Sequence, residues 1–259
     1  MPPITVTALS ITPVKGTRLR NVDSVTVGMD GIRENRRFFL IDDADEMVNS
    51  LRLGALQTIV TDYDDAARRL SVRFPDGRVL EDEVRLGEEV TASFYDEPFP
   101  ARLVQGEWSK AISEHAGKSL RLVESSNGGA VDRGSAGAVT IVSRASVTGL
   151  ADHANAPAID ARRFRMLIEV DGVSAHEEDA WVGRTLRVGE AVLRGRGHVG
   201  RCAITNRDPE SGEVTLQTLK ILGRYRRDLD TTEPVAFGIY GEVVEPGKIR
   251  VGDAVSVDG

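Results

Sequence analysis

Short segments rich in β-branched and aromatic residues follow one another along the N-terminal part of the chain, about ten residues apart. They include ITVTALSI, VDSVTVG, FFLID, QTIVTDYD and RLSVRF. Glycine, aspartate and proline, which favour the backbone angles of turns, lie between these segments. Segments of this length and spacing predict a β-barrel or a β-sandwich.

Only a few short helices are expected. Residues 106–117 (GEWSKAISEHAG) carry apolar residues at helical spacing and end at Gly117, a residue suited to a C-cap. Ser143 can cap a helix in the segment that follows it, and residues 218–227 indicate a third helix. The small and polar residues 125–138 predict a loop.

The C-terminal part of the chain returns to strand-forming segments such as RMLIEV and FGIYGEVV. We therefore expect a mostly β protein of the α+β class, built from two β-rich modules that pack closely together. Pro98 and Pro100 indicate a boundary near residues 98–108, which divides the chain into residues 1–100 and residues 101–259.

Composition and charge exclude several classes of function. The formal net charge of −7 disfavours binding to nucleic acid and to anionic membrane surfaces. No apolar run reaches the roughly 18 residues that cross a bilayer, and the N-terminus lacks the pattern of a signal peptide. We expect a soluble, cytoplasmic protein without nucleic-acid or membrane partners. The even distribution of charge and the presence of only two tryptophans favour a monomer.

The single cysteine, Cys202, restricts the available redox and metal chemistry. One cysteine cannot form an internal disulfide, a zinc site built from cysteines or a conventional iron–sulfur cluster. A lone cysteine often serves as a small buried apolar residue, but the neighbouring Arg201 favours the thiolate, which binds metals. Asp208 and Gly212 indicate a tight turn in the following RDPESG segment. We expect Cys202 at the start of a strand, beside a rigid loop.

The glycines of the GRGHVG run, Gly195, Gly197 and Gly200, have the spacing of a dinucleotide-binding fingerprint. That fingerprint needs a helix whose N-terminal amides face a pyrophosphate. The residues that follow are RCAITN, which favour strands, so we exclude a dinucleotide site and expect a flexible turn between strands.

Basic residues recur where predicted turns meet predicted strands. Arginine offers phosphate a planar fork of donors, so these residues are candidates for anion binding. Solvation and ordinary ion pairs with the many acidic residues are the alternative. The residues are Lys15, Arg36, Arg37, Arg162, Arg163 and Arg165.

Residues 176–181 (HEEDAW) concentrate acidic side chains beside His176. A hard cation could bind there. A solvated loop that Trp181 anchors in the core is the favoured interpretation.

Several of these motifs together resemble a known family. PVKG (13–16) and RRFFLID (36–42) resemble the β-barrel domain that precedes MOSC domains. RRFRMLIEV (162–170), GRCAITNRDPESG (200–212) and FGIYGEVVEPGKIRVGDAV (237–255) resemble the MOSC domain itself, which is named for the C-terminal part of molybdenum cofactor sulfurase. The resemblance covers nearly the whole chain. It implies a β-barrel MOSC domain packed against an N-terminal β-barrel-like domain, the arrangement of the mitochondrial amidoxime-reducing component and its bacterial relatives.

The resemblance also implies a cofactor, molybdenum bound to molybdopterin. Cys202 then corresponds to the catalytic cysteine that ligates the metal. Lys15, Arg37 and Arg165 correspond to the basic residues that hold the pterin phosphate, and Arg201 and Asp208 lie in the cysteine motif and complete the expected cofactor site.

The implied function is a molybdenum-dependent oxidoreductase that removes oxygen from N-hydroxylated or similar N-oxygenated substrates. Its electrons are expected from separate flavin or iron–sulfur proteins. A carrier of sulfur or cofactor that uses Cys202, and a degenerate domain that binds another anionic small molecule, are the alternatives.

Three positions depart from the family pattern. Leu167 stands where the family often has asparagine, and Gly200 and Gly16 stand where it often has serine. Each change removes a polar side chain from the expected pocket.

Overall fold

The computed structural model describes residues 3–94, 97–126 and 134–258, and strands make up most of its regular structure. In the described residues the strands are β1 (Ile4–Ile11), β2 (Arg20–Val22), β3 (Ser24–Val27), β4 (Phe38–Ile41), β5 (Met47–Val48), β6 (Val60–Asp64), β7 (Arg69–Arg73), β8 (Val79–Glu83), β9 (Arg85–Phe94), β10 (Glu97–Gln105), β11 (Arg121–Ser125), β12 (Val139–Ser143), β13 (Ile168–Asp171), β14 (Thr185–Val188), β15 (Ala191–Gly200), β16 (Ala236–Glu245), β17 (Gly247–Arg250) and β18 (Ala254–Val257). The α-helices are α1 (Trp108–Ala116), α2 (Arg144–Ala154) and α3 (Thr218–Tyr225). The predicted mostly β class with few short helices is confirmed.

The three helices form near the predicted positions, and the predicted capping residues act in two of them. Gly117 ends α1 with a left-handed backbone, at a φ of 65°. The Ser143 hydroxyl accepts a hydrogen bond from the Ser146 N–H at 3.0 Å and so caps α2. None of the helices in the described part of the chain is both long and apolar enough to cross a membrane. Residues 127–133 of the predicted loop lie outside the described residues.

Seven strands close into a barrel. Their order is β13-β12-β16-β15-β14-β18-β1, and a further pairing joins β1 back to β13. Neighbouring strands are antiparallel except β12 and β13, which are parallel. Leu9, Ile168 and Val188 are fully buried in the barrel core. A ring closed in this way removes the open sheet edges on which two chains could pair.

The second module contains two further sheets, of strand order β5-β4-β11-β10-β9 and β6-β7-β8. All four residues of β4 are buried, as its apolar FFLI sequence predicts for a strand covered on both faces. On one side Phe38 packs with residues of β7 and α1, and on the other Phe39 packs with Met47. This module therefore has its own hydrophobic core.

The division of the chain at residue 100 does not follow these sheets. β10 runs through Pro98 and Pro100, and β11 completes the five-stranded sheet well beyond them. At the other end, β1 belongs to the barrel. The reason is that sheet membership depends on strand pairing between distant segments, which the two prolines do not indicate.

The GRGHVG segment is not a turn. It lies inside β15, which pairs with β16 through register shifts at Gly195 and Gly197. A Cβ atom at Gly195 would overlap the carbonyl of Trp181, and one at Gly197 would lie 2.7 Å from the Thr232 hydroxyl. The glycines thus allow other parts of the chain to approach this strand closely.

The segment that follows β1 connects the barrel to the second module. The hydroxyls of Thr12 and Thr17 are buried and lie 2.7 Å apart, and each also contacts the Thr61 hydroxyl. The Lys15 N–H donates to the Phe38 carbonyl at 2.8 Å. These hydrogen bonds fix the backbone of Lys15 at the junction of the two modules.

A second junction involves the loop after Cys202. Arg207 donates through Nη1 to the Gly212 carbonyl at 2.8 Å and through Nη2 to the Leu51 carbonyl at 3.1 Å. A Cβ atom at Gly212 would overlap the carbonyl of Gly54, and Gly212 has a φ of 74°. The backbones of Gly54 and Gly212 are therefore in direct contact.

Replacing Gly212 with alanine should weaken the junction. We expect Gly212→Ala to lower the free energy of unfolding by about 3 kcal/mol, because the methyl group cannot fit without moving the loop. Gly77→Ala is the matched control: Gly77 has a φ of 88° but no atom within 4 Å of its Cβ position. The free energy of unfolding of that control should fall by only about 1 kcal/mol, because alanine disfavours a left-handed backbone. Equal losses in chemical unfolding would contradict the proposed contact.

Candidate functional site

A cavity of about 910 Å³ lies where the barrel meets the second module. The barrel contributes the end of β15 and the residues before β13. The second module contributes the facing ends of β9 and β10 and the turn before β4. The lining includes Lys15, Gly16, Arg36, Phe94, Phe99, Arg165, Leu167, Gly200, Arg201 and Cys202.

Cys202 lies just beyond the end of β15 and lines this cavity. Its thiol is exposed and forms no disulfide, which contradicts the alternative of a buried, inert residue. The Cys202 carbonyl accepts hydrogen bonds from the N–H and the hydroxyl of Thr205, at 3.2 and 3.0 Å. Cys202 therefore precedes a 3-10 turn, Ala203–Asn206. The prediction that Cys202 begins a strand is wrong.

Arg201 also lines the cavity, and its guanidinium organises the wall beside Cys202. It donates to the carbonyl of Phe164 at 2.8 Å and to that of Phe237 at 2.9 Å. The guanidinium carbon lies 5.5 Å from the ring centroid of Phe164. Arg201 thus ties the end of β15 to the residue that precedes Arg165.

Arg165 and Arg36 approach the cavity from opposite modules. Arg36 donates through Nη2 to the Arg165 carbonyl at 2.7 Å, and Arg165 donates through Nη2 to the Thr17 carbonyl at 2.8 Å. Both have left-handed backbones, at a φ of 54°. Such conformations are uncommon for residues other than glycine and persist where surrounding contacts impose them.

The electrostatic surroundings of Arg165 favour an anionic ligand. Burial lowers its pKa, the neighbouring Arg36 charge lowers the pKa further, and Cys202 opposes this by raising it. The guanidinium nevertheless stays protonated at neutral pH. Within the described residues, no carboxylate contacts the Arg165 side chain. An anion in the cavity would supply the negative charge that these contacts lack.

Lys15 adds an ammonium group to the same cavity. Its side chain is only 8% exposed, and Nζ lies 4.4 Å from the ring centroid of Phe94. This distance allows a cation–π interaction. Phe94, which belongs to the second module, thereby covers the charge of Lys15, which belongs to the segment after β1.

Two predicted site residues do not line the cavity. Arg37 turns away from it and donates to Glu124 at 2.6 Å and to Asp65 at 3.1 Å. Asp208 accepts hydrogen bonds from the N–H groups of Glu210 and Ser211, both at 2.9 Å, and so caps its own turn. Those bonds lower the pKa of Asp208 despite partial burial. The structure therefore gives both residues other partners, and Arg36 takes the place at the cavity that we expected for Arg37.

Two other basic residues have ion-pair or turn contacts away from the cavity. Arg162 binds Asp160 and Glu210, and Arg163 binds the Thr215 hydroxyl at 2.6 Å. For these arginines the alternative interpretation, ordinary structural pairing, is the one that the geometry supports.

The structure gives a packing reason for two of the three departures from the family pattern. Gly16 has a φ of 94°, and its Cβ would lie 3.1 Å from the backbone of Asn49. A Cβ at Gly200 would lie 2.8 Å from the Glu233 carboxylate. Leu167 is 3% exposed and packs in the barrel core while its N–H donates to the Thr140 hydroxyl at 2.8 Å. Packing with neighbouring segments thus leaves little room for larger residues at 16 and 200.

The HEEDAW segment forms a 3-10 turn in which Glu178 and Trp181 are buried. Glu178 is fully buried and accepts hydrogen bonds from the Ser143 N–H at 3.0 Å and the Ser146 hydroxyl at 2.7 Å. Burial raises its pKa. Asp179 binds Arg226 at 2.6 Å. The solvated-loop interpretation is therefore wrong for Glu178, whereas Trp181 is in the core as predicted.

Sequence comparisons find one domain family and several relatives that resemble parts of this chain. The family model of the MOSC domain matches residues 128–256. Molybdenum cofactor sulfurase of Oryza sativa subsp. japonica is 25% identical over 92% of this chain and 33% of its own length. Human mitochondrial amidoxime reducing component 2 is 34% identical over 36% of this chain and 29% of its own.

Two further similarities cover other extents of the chain. Mitochondrial amidoxime-reducing component 1 of Xenopus laevis is 28% identical over 64% of this chain and 49% of its own length. The solved structure of the YUAD protein from Bacillus subtilis aligns with 98% of this chain and 94% of its own, at 12% identity and a TM-score of 0.46. The alignments thus span a third or less of the rice and human proteins and about half of the frog protein.

The fold and site define a β-barrel protein with a cysteine and clustered cations around one cavity. The family match over the second half of the chain, together with these relatives, makes it a MOSC domain protein.

The half-buried His176 should make stability depend on pH. Burial and the charge of Arg226 lower its pKa to about 4. Between pH 6.5 and 4 the unfolded chain therefore binds a proton that the folded protein does not, and stability falls as the pH decreases. We expect His176→Asn, which suits the left-handed φ of 64°, to remove up to about 2 kcal/mol of this loss in urea unfolding.

His153→Asn is the control for this experiment. His153 is exposed and stacks on Tyr225 at 3.9 Å between ring centroids, so the variant should keep the pH dependence of the unaltered protein. Parallel pH profiles for the unaltered protein and His176→Asn would contradict the assignment.

Proposed function

We propose that this protein binds the molybdenum–molybdopterin cofactor and removes oxygen from N-hydroxylated or similar N-oxygenated substrates. The observation that carries the proposal is the position of the only cysteine, exposed at a cavity that is also lined by four basic side chains. These are Lys15, Arg36, Arg165 and Arg201.

The residues of the cavity fit an anionic cofactor whose metal accepts sulfur ligands. A thiolate from Cys202 suits molybdenum, since sulfur donors match a metal that the pterin already holds through sulfur. Lys15, Arg36 and Arg165 would bind the phosphate of the cofactor, because their positive charges converge on the cavity and are withdrawn from bulk water. When bound, the cofactor supplies a metal centre able to exchange an oxygen atom and two electrons.

The remaining cavity wall suits an organic substrate. Phe94, Pro98 and Phe99 come from the facing ends of β9 and β10 and give one side of the cavity a largely apolar surface, to which Glu97 adds one carboxylate. Phe99 packs on Phe39 at 5.1 Å between ring centroids, so this surface is anchored in the core of the second module. Removing oxygen from an N–OH group consumes two electrons and two protons and releases water. The apolar wall would orient the substrate and limit access of bulk water.

The relatives support the same chemistry. Their names refer to molybdenum cofactor sulfuration and to amidoxime reduction. The electrons would come from a separate flavin or iron–sulfur protein, because one cysteine cannot hold a conventional iron–sulfur cluster. A reducing compartment such as the cytoplasm would keep the exposed Cys202 thiol reduced.

A carrier role is the second candidate function. The exposure of Cys202 favours it, because a persulfide carrier also needs an accessible thiol. A degenerate domain that binds another anion would use the same basic residues, and the apolar Leu167 in the wall fits that alternative. A persulfide carrier and a degenerate domain both predict no stoichiometric molybdenum in the purified protein, whereas a cofactor carrier predicts bound cofactor without reduction of N-hydroxylated substrates.

Cys202→Ser tests the role of the thiolate. Because Cys202 is exposed and the change is nearly isosteric, the free energy of unfolding should stay within about 0.5 kcal/mol of that of the unaltered protein. Reduction of an N-hydroxylated substrate, measured with an artificial electron donor, should be lost. Full activity in the serine variant would contradict the role of Cys202 as a metal ligand.

Lys15→Ala tests the phosphate-binding role. Loss of one charge-assisted hydrogen bond should weaken retention of the pterin by about 1–3 kcal/mol. Pterin retained after dialysis, measured by fluorescence after oxidation, reports this directly. The control Lys110→Ala removes an exposed lysine of α1, outside the cavity, and should retain the pterin fully. If both variants retain equal amounts, Lys15 does not contact the cofactor.

A further inference from the structure

The end of β15, which leads into Cys202, is held by a surface loop from a distant part of the chain. This loop, residues 231–235, connects the segment after α3 to β16 and is called the clasp below. The backbone of β15 is open to such an approach because Gly197 and Gly200 lack side chains.

Hydrogen bonds join the clasp to three of the four residues that precede Cys202. The His198 N–H donates to the Thr232 hydroxyl at 2.7 Å, and the Thr232 N–H donates to His198 Nδ1 at 3.2 Å. The Gly200 N–H donates to the Glu233 carboxylate at 2.8 Å, and the Arg201 N–H donates to the Val235 carbonyl at 3.3 Å. Only the Glu233 bond is made by a charged side chain.

The Glu233 side chain occupies the space that a side chain at position 200 would need. A Cβ atom there would lie 2.8 Å from Glu233 Oε2, 3.0 Å from Glu233 Cβ and 3.1 Å from the Pro234 carbonyl. The glycine at 200 and the glutamate at 233 are therefore one structural unit: the carboxylate can reach the backbone N–H because no side chain intervenes.

The clasp also carries a strained backbone. Val235 has a φ of 51°, a conformation in which a β-branched side chain is disfavoured. Its carbonyl nevertheless bonds the N–H of Arg201, and its side chain packs against the cluster of Val199 and Phe237. Contacts on both sides of the residue impose this conformation, which is expected where geometry near a functional group is fixed.

We propose that Glu233 is a positioning residue for Cys202: its carboxylate holds the Gly200 N–H and thereby fixes the direction in which the thiol enters the cavity. Only Arg201 lies between Gly200, which the carboxylate contacts, and Cys202. Arg201 is anchored separately through its side chain to Phe164 and Phe237. Glu233 thus fixes the backbone of this short segment, and Arg201 fixes the cavity wall beside it.

The single cysteine allows a test that needs no cofactor. The full chain, purified from a host that does not make molybdopterin, is reacted with Ellman's reagent, and the rate is divided by that of the denatured chain. We expect Glu233→Ala to react about five-fold faster: Cys202 is already exposed, so the gain comes from the wider range of thiol orientations that the segment reaches once it loses one ordinary hydrogen bond to the clasp. Amide exchange at Gly200 should accelerate to a similar extent.

Two variants separate this role from general destabilisation. Glu233→Gln keeps an oxygen that can accept the Gly200 N–H, so its labelling rate should stay within about two-fold of that of the unaltered protein. Glu245→Ala removes an exposed carboxylate at the end of β16 and should leave the rate unchanged. The free energy of unfolding, measured for each variant, identifies any change that is merely global.

The proposal would be overturned if folded Glu233→Ala reacted at the rate of the unaltered protein, or if Glu233→Gln reacted as fast as Glu233→Ala. Should Glu233→Ala not fold, Glu233→Asp gives the same test, because its shorter side chain keeps the charge and cannot reach Gly200. It should show the same acceleration. These outcomes do not depend on molybdenum, so they are independent of the proposed enzymatic function.

Discussion

The burial of positive charge at the junction of the two modules is the constraint on which the rest of the site depends. Removing a guanidinium from water is costly unless hydrogen bonds and opposite charge replace the solvent. Arg165 obtains a carbonyl from Thr17, and Arg36 obtains one from Arg165. The modules are therefore held together by the same groups that give the cavity its positive potential. An anionic ligand would add opposite charge beside Arg165, so a phosphate-bearing cofactor suits the cavity better than a neutral one.

Close backbone approaches position the cysteine relative to these charges. Gly54 and Gly212 bring the loop after Cys202 against the second module, and Gly200 admits the Glu233 carboxylate before it. Cys202 is thus held on both sides by contacts that a larger residue would prevent. The same packing accounts for the absence of the family's polar side chains at Gly16 and Gly200. The closed barrel provides a rigid frame, and the glycines provide the space for these close contacts.

Local signals predicted most of the elements. The capping groups Ser143 and Gly117 mark helix ends because they act within a few residues. The FFLI strand could be recognised as buried from its composition alone. The position of Cys202 at a functional cavity agrees with the neighbouring charge and turn, although its place before a 3-10 turn was not predicted.

Features set by distant partners could not be predicted in the same way. Which of Arg36 and Arg37 lines the cavity depends on which side chain pairs with Glu124 and Asp65, two residues distant in the sequence. Glu178 is buried because Ser143 and Ser146 offer it donors, and its own segment gives no sign of them. The GRGHVG strand resembles a turn in sequence, since its glycines serve contacts with Trp181 and Thr232 that sequence proximity does not reveal.

The most direct test of the central claim is the molybdenum and pterin content of the protein purified from a host that makes the molybdenum cofactor. Elemental analysis and pterin fluorescence should give equimolar amounts of metal, pterin and chain. Absence of both, under conditions in which an amidoxime-reducing component loads fully, would contradict the claim that the cations and Cys202 form a cofactor site.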